Sequence, residues 1–163
     1  MAGLRQIHFQ QYNSPIMGLI DRPGADDLDL SPAYQRGSVW DLERRRNLIR
    51  SVLIGLPIGC VFLNRRSPMS PLSVVDGKQR IEALRAFTHG EFSIPSDWVE
   101  NRLVKDLSRA YPPLAMYRWM DFTEVFHRFF WNSTIAQYQT TLPTEAEEKL
   151  LFDRINHGGI PHQ

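Results

Sequence analysis

The chain has 163 residues, 42% hydrophobic and 23% charged, which suits one domain with a buried core. Its formal net charge of +1 gives no general attraction to nucleic acid, so DNA binding would need a local basic patch. A single cysteine, Cys60, excludes an internal disulfide framework and a cysteine-built zinc cage, and no stretch approaches the roughly 20 apolar residues of a membrane-spanning helix.

Residues 1–6 lack the apolar centre of a signal peptide, so a cytoplasmic protein is expected. Leu4, Ile7 and Phe9 alternate weakly and predict an edge strand or an ordered arm over residues 1–13. Ser14-Pro15 has the form of a helix start, with serine as N-cap and proline at the first helical position. Ile16, Met17, Leu19 and Ile20 would be its buried face and Pro23-Gly24 its stop. Residues 26–30 predict a short strand. Residues 31–40 hold too much proline and glycine for a regular element, yet gather Tyr34, Arg36 and Trp40. They are either a surface loop pinned by its aromatics or part of a site. Asp41 is the expected N-cap of a helix to about Ile54, with Leu42, Leu48, Ile49, Val52 and Leu53 inward. Arg44, Arg45 and Arg46 on that helix are either a solvated face or, with Arg65 and Arg66, a candidate nucleic-acid patch. Gly55-Leu56-Pro57 ends the helix. Residues 58–63 then read as a core strand that buries Cys60, and residues 64–73 as a hairpin-like loop.

The stretch richest in chemistry is Val74-Val75-Asp76-Gly77-Lys78-Gln79-Arg80, after which Ile81, Leu84 and Phe87 recur at helical spacing. A strand, a glycine turn and a helix N-terminus in that order present backbone N–H groups to an anion. Lys78 and Arg80 can hold phosphates and Gln79 can donate or accept. Asp76 caps the helix, holds a metal ion or fixes an arginine.

Further on, residues 92–95 suggest a short strand. Val99, Leu103, Val104 and Leu107 allow a helix, which Pro112-Pro113 would interrupt. Residues 122–131 hold five aromatics (Phe122, Phe126, Phe129, Phe130 and Trp131), and a buried helical pair or a homo-oligomer interface is expected there. His127 among them reads as structural. Residues 133–141 alternate as a strand with a polar face. Thr144 would cap a last helix with an acidic first turn, closed by Gly158-Gly159.

Three of these segments resemble, in order, motifs of the N-terminal nucleotide-hydrolysing domain of GmrSD-type restriction proteins. Pro32, Tyr34, Gln35, Arg36 and Trp40 match its Pro-x-Tyr-Gln-Arg-x-x-x-Trp signature. Residues 76–80 resemble its Asp-Gly-Gln-Gln-Arg box, with Lys78 where that family usually has glutamine. Glu148, Phe152, Arg154, Asn156, Gly158 and Gly159 match its closing Glu-x-x-x-Phe-x-Arg-x-Asn-x-Gly-Gly. The box is also similar, more distantly, to a turn of ParB/sulfiredoxin-like domains. The resemblance implies a ParB/sulfiredoxin-like fold of the α+β class, a small mixed sheet surrounded by helices, as a single domain over residues 1–163.

It also implies binding and Mg2+-dependent hydrolysis of a nucleoside triphosphate. Asp76, Gln79 and Arg80 would be catalytic and Asp76 would hold the metal ion, with Glu82 a second carboxylate. Arg36, Gly77, Lys78, Arg154 and Asn156 would surround the phosphates. Lys78 changes the charge of the box, a departure that bears on hydrolysis more than on binding. No Gly-x-x-x-x-Gly-Lys-Ser/Thr loop occurs, which excludes a P-loop, and Cys60 lies outside the turn that sulfiredoxin chemistry uses. The nuclease half of the larger restriction proteins is not among these residues. The expectation is therefore a freestanding domain of phage or host-defence origin, or a subunit whose partner supplies the effector. A DNA-binding or nicking protein and a non-catalytic interaction module are the alternatives.

Overall fold

The structure, a computed structural model that describes residues 6–21, 28–35, 39–107 and 116–157, is built on seven strands and five helices. The strands are β1 (Gln10–Pro15), β2 (Leu28–Asp29), β3 (Cys60–Arg65), β4 (Leu72–Asp76), β5 (Ile94–Pro95), β6 (Met116–Tyr117) and β7 (Thr134–Thr140). The helices are α1 (Ile16–Ile20), α2 (Leu42–Leu53), α3 (Lys78–Thr88), α4 (Glu124–Asn132) and α5 (Glu145–His157). Five strands make one mixed sheet in the order β1-β7-β3-β4-β2, while β5 and β6 form a separate ladder. β1 and β7, and β3 and β4, run antiparallel; β3 and β7, and β2 and β4, run parallel. The expected α+β class is what the chain forms.

β4 positions the site. Leu72, Ser73, Val74 and Val75 are all buried, as a strand covered on both faces requires. α3 buries Ile81, Leu84 and Phe87 and packs on α1 and α2, while α5 packs against β4. The core centres on Phe87, whose ring meets Phe92, Trp119, Phe122, Phe126 and Phe130 at centroid separations of 5.4 to 6.4 Å. The caps at Asp41 and Thr144 form as expected, accepting from the backbone N–H groups of Arg44 and Glu147. His127 is structural: its ring stacks on Trp119 and its Nε2 lies 2.7 Å from the Trp119 carbonyl.

Several expectations are corrected. Ser14-Pro15 does not cap a helix; both residues end β1, paired with Ile135 and Thr134, and α1 begins only at Ile16. An edge strand tolerates proline because its N–H can go unused, and the ladder with β7 outcompetes a helix of five residues. Met17 is 45% exposed rather than buried. The helix expected through Val99, Leu103, Val104 and Leu107 does not form; 3-10 turns stand at Ser96–Trp98 and Asn101–Leu103. Long-range backbone bonds decide this, since Thr123 donates to the Leu103 carbonyl and Lys105 to that of Asp121, each at 2.9 Å. The core strand starts at Cys60, not at Ile58, because Gly59 has φ +86°, and Cys60 is half-buried rather than sealed in.

β7 lies inside the sheet, so its Gln137 and Thr140 are buried. The aromatic run divides. Phe122, Phe126 and Phe130 are core, whereas Phe129 and its neighbour Val125 stay about half-exposed. Leu4, the Pro23-Gly24 stop, Pro112-Pro113 and the Gly158-Gly159 cap lie outside the described residues. Among the described residues no helix is long and apolar enough to cross a membrane.

Candidate functional site

Asp76 ends β4 and Gly77 turns the chain into α3. Gly77 sits at φ +107°, ψ 7° and is itself the N-cap residue, and no side chain caps the helix. Asp76 is therefore not a capping residue, and the first-turn N–H groups have no side-chain acceptor, the arrangement that suits an anion. The turn is pressed onto β3: a Cβ on Gly77 would come within 2.5 Å of Val61 Cγ1. Register adds a second local feature. Leu63 pairs with Val74 but Phe62 pairs with Asp76, so β4 contributes one extra residue, Val75. A bulge of this kind re-aims the side chains beside it and sets Asp76 opposite Phe62. The Asp76 carboxylate takes no hydrogen bond or ion pair among the described residues.

Ser31, Gln35 and Trp40 hold this turn and the strand before it. Gln35 Nε2 donates to the carbonyls of Val74 and, at 2.9 Å, Val75. Trp40 N–H donates to Gln79 Oε1 at 3.2 Å, and Lys78 Nζ donates to Ser31 Oγ at 3.3 Å. Lys78 also stands 4.0 Å from Glu82 Oε1 one turn on. Arg80 reaches under the turn and donates from Nη1 to the Cys60 carbonyl at 3.2 Å. Its guanidinium lies against Gly59, where a Cβ would come within 3.0 to 3.1 Å of Nε, Cζ and Nη2. Burial pushes the Cys60 thiol above its ordinary range, with Arg80 opposing and Asp76 reinforcing the effect.

Gly59 thus seats Arg80. Gly59→Ala is expected to cost about 1–2 kcal/mol for an L-residue at positive φ and to displace the guanidinium, which yields more easily than backbone. Urea denaturation checks the first effect. Titration with tripolyphosphate checks the second, and an unchanged affinity would mean that the Arg80 seat does not serve anion binding.

Glu148 of α5 joins the third motif to the first, through Tyr34. It is fully buried, and its two oxygens accept from Tyr34 Oη at 2.7 Å, Asn64 Nδ2 at 2.7 Å and Arg66 at 2.7 and 3.3 Å. Burial alone would push this carboxyl up, but the bonds from Arg66, Asn64 and Tyr34 outweigh it and hold Glu148 below its ordinary range. Burial, reinforced by the same carboxylate, keeps the Tyr34 hydroxyl protonated far above the usual tyrosine range. Four residues along α5, the Phe152 ring packs on Tyr34 at 5.2 Å.

The predicted site residues are therefore gathered unevenly. Asp76, Gly77, Lys78, Gln79 and Arg80 form one turn, clasped by the loop that holds Gln35 and Trp40. Arg36 lies outside the described residues. Arg154 is exposed on α5 and has no partner among the described residues. Asn156 donates back to the Phe152 carbonyl of its own helix at 2.8 Å.

The candidate nucleic-acid arginines do not form one patch with this turn. Arg65 pairs with Leu72, at the end of the hairpin roughly 13 Å from Asp76 by strand rise, and donates to the Ser70 carbonyl. Arg66 is spent on Glu148. Arg46 binds the Ser93 carbonyl at 2.8 Å, Arg45 is half-buried, and Arg44 lies over the Trp40 ring at 4.9 Å. Gly59, Ser31 and the linking role of Glu148 were missed in the sequence. Only Gly59, directly before a strand, carried a local signal.

Among the described residues no three His, Cys, Asp or Glu side chains gather as a metal cage. Asp76 nonetheless fits Mg2+, an ion commonly held by one or two carboxylates with the rest of its shell from phosphates and water. The sequence is that of a restriction-related protein. Residues 18–162 match the family model of the GmrSD restriction endonuclease N-terminal domain, and the chain belongs to that family. No curated protein and no solved structure matches it.

Proposed function

We propose that this domain binds a nucleoside triphosphate at the Gly77 turn and hydrolyses it slowly, within the ParB/sulfiredoxin-like group of folds. The observation that carries the reading is an uncapped helix N-terminus with Asp76, Lys78 and Arg80 beside it, clasped by Gln35 and Trp40 of the first motif. Free N–H groups and two cations are what phosphates ask for, and the Asp76 carboxylate has no partner among the described residues that would compete for a new one. The backbone N–H groups of the first turn and the Arg80 fork take up charge on the terminal phosphates, and Lys78 adds a point charge on the Ser31 side. Gln79 has its Oε1 committed to Trp40, so its amide N–H groups are what remain to position an attacking water or a phosphate oxygen. Asp76 is the residue that would hold Mg2+, which when bound neutralises phosphate charge. Water adds to the terminal phosphorus as the bond to the bridging oxygen breaks, releasing nucleoside diphosphate, phosphate and a proton.

The test is phosphate release from ATP and GTP with Mg2+ by the protein, Asp76→Ala and Arg80→Ala. Removing one preorganised charge contact typically lowers turnover by about 10²–10³-fold. A fall of that order in both variants, with melting temperatures unchanged, is expected. Equal rates in all three proteins would remove the reading.

A further inference from the structure

Three aromatic side chains stand together outside the main core. Phe62 of β3 and Tyr138 of β7 are direct partners in the parallel ladder, and their rings stack at 5.0 Å with planes 16° apart. Phe9 closes on both edge-to-face, at 5.9 and 6.2 Å. None of the three belongs to the buried core cluster. Phe9 is 37% exposed, and Phe62 and Tyr138 are half-buried.

Register ties this cluster to the turn. On its other side Phe62 is the direct partner of Asp76, so Tyr138, Phe62 and Asp76 form a row across three adjacent strands. Neighbouring strands are about 4.8 Å apart, which places the far ring roughly 10 Å from the residue that precedes Gly77. Among the described residues Phe62 meets only the rings of Phe9 and Tyr138, and no described arginine covers it. The bulge at Val75 sets Asp76 in that row. Without it the ladder would bring Val75 opposite Phe62.

We propose that Phe9, Phe62 and Tyr138 are the seat of the nucleotide's base, a stacking surface continuous with the phosphate-binding turn. This rests on the nucleotide reading above and adds to it where the base lies. A nucleoside triphosphate has an anionic tail and a flat π-face at its other end, and the Tyr138–Phe62–Asp76 row brings an aromatic surface up to the residue that precedes the phosphate-binding turn. Stacking tolerates any base, so both purine nucleotides are accepted. A purine covers more of the rings than a pyrimidine and binds more tightly.

The experiment compares calorimetric binding of ATP, CTP and base-free tripolyphosphate, each with Mg2+, to the protein and to Phe9→Ala and Phe62→Leu. Phe9 lies before β1 and is already part-exposed, so its variant carries little risk to folding, which circular dichroism verifies for both. The expected result is that ATP affinity falls about tenfold or more in each variant while tripolyphosphate affinity stays the same. In the unaltered protein ATP should bind more tightly than CTP, and both more tightly than tripolyphosphate. ATP affinity unchanged in the variants, or an equal loss for ATP and tripolyphosphate, overturns the base seat. Tripolyphosphate binding as tightly as ATP overturns the base seat but leaves the phosphate turn standing. Failure of all three ligands to bind the unaltered protein overturns both readings.

Discussion

Glu148→Ala is expected to lower the unfolding free energy by about 3–5 kcal/mol, the usual cost of breaking a buried ion pair by removing one partner. The loss would take much of the 5–15 kcal/mol that stabilises a typical domain. It falls on more than one bond, because Arg66, Asn64 and Tyr34 all donate to this one carboxylate. Asn64 keeps the Leu142 carbonyl at 3.0 Å, and Arg66 can turn to solvent, which places Glu148→Ala within that range rather than beyond it. The pH dependence has a definite sign. The folded carboxyl titrates below its ordinary value, so its stabilisation is complete above the unfolded value of about 4.3 and is lost as pH falls through the depressed folded value. Urea denaturation from pH 7 down to pH 3 is the measurement. The protein should lose stability across that lower window, and Glu148→Gln, which cannot ionise, should lose less of its smaller stability there. Parallel curves for the two would show that Glu148 does not carry this linkage.

Gly77→Ala has the next largest effect, about 2–5 kcal/mol, from two separable sources. An L-residue at φ +107° pays roughly 1–2 kcal/mol. Overpacking against Val61 adds about 1–3 kcal/mol, because the new Cβ would lie 2.5 Å from Cγ1, 3.1 Å from Cβ and 3.3 Å from Cα of that residue. A β-branched side chain in a central strand has few other rotamers to adopt, and the Cα cannot swing aside. Val61→Ala combined with Gly77→Ala should therefore recover part of the excess over Val61→Ala alone, leaving the backbone share. Thermal or chemical denaturation of the four proteins reads this as a coupling energy. Strict additivity would mean that the overlap is relieved in some other way.

What could be read in advance was local chemistry. Val74 to Phe87 gave strand, turn and helix correctly, because a β-branched pair, a glycine and helical spacing each act within a few residues. The caps at Asp41 and Thr144 are local in the same sense. Errors arose where partners distant in sequence decide. Ser14-Pro15 has the composition of a helix start, yet pairing with residues 134 and 135 makes it strand. Leu103 and Val104 fit a helix until the backbone near Asp121 claims their hydrogen bonds. The site divides along the same line. Asp76, Lys78 and Arg80 were visible as a charged turn, whereas the seat of Arg80 on Gly59 depends on tertiary packing. The pairing of Phe62 with Asp76 depends on a bulge that no composition announces. Glu148 matched a motif as a bare letter, and only its three donors explain why a carboxylate is needed there.

The amide of Gln35 has a consequence for how this protein meets other chains. β2 is only two residues long and covers β4 at Leu72 and Ser73, so the sheet would otherwise end on bare acceptors at Val74 and Val75. Gln35 occupies both, standing in for a missing strand with a single side chain. An uncovered sheet margin is a template for intermolecular pairing and aggregation. The signature glutamine therefore blunts this margin as well as tying its own segment to β4, and a chain that released it would leave two strand acceptors open to another chain.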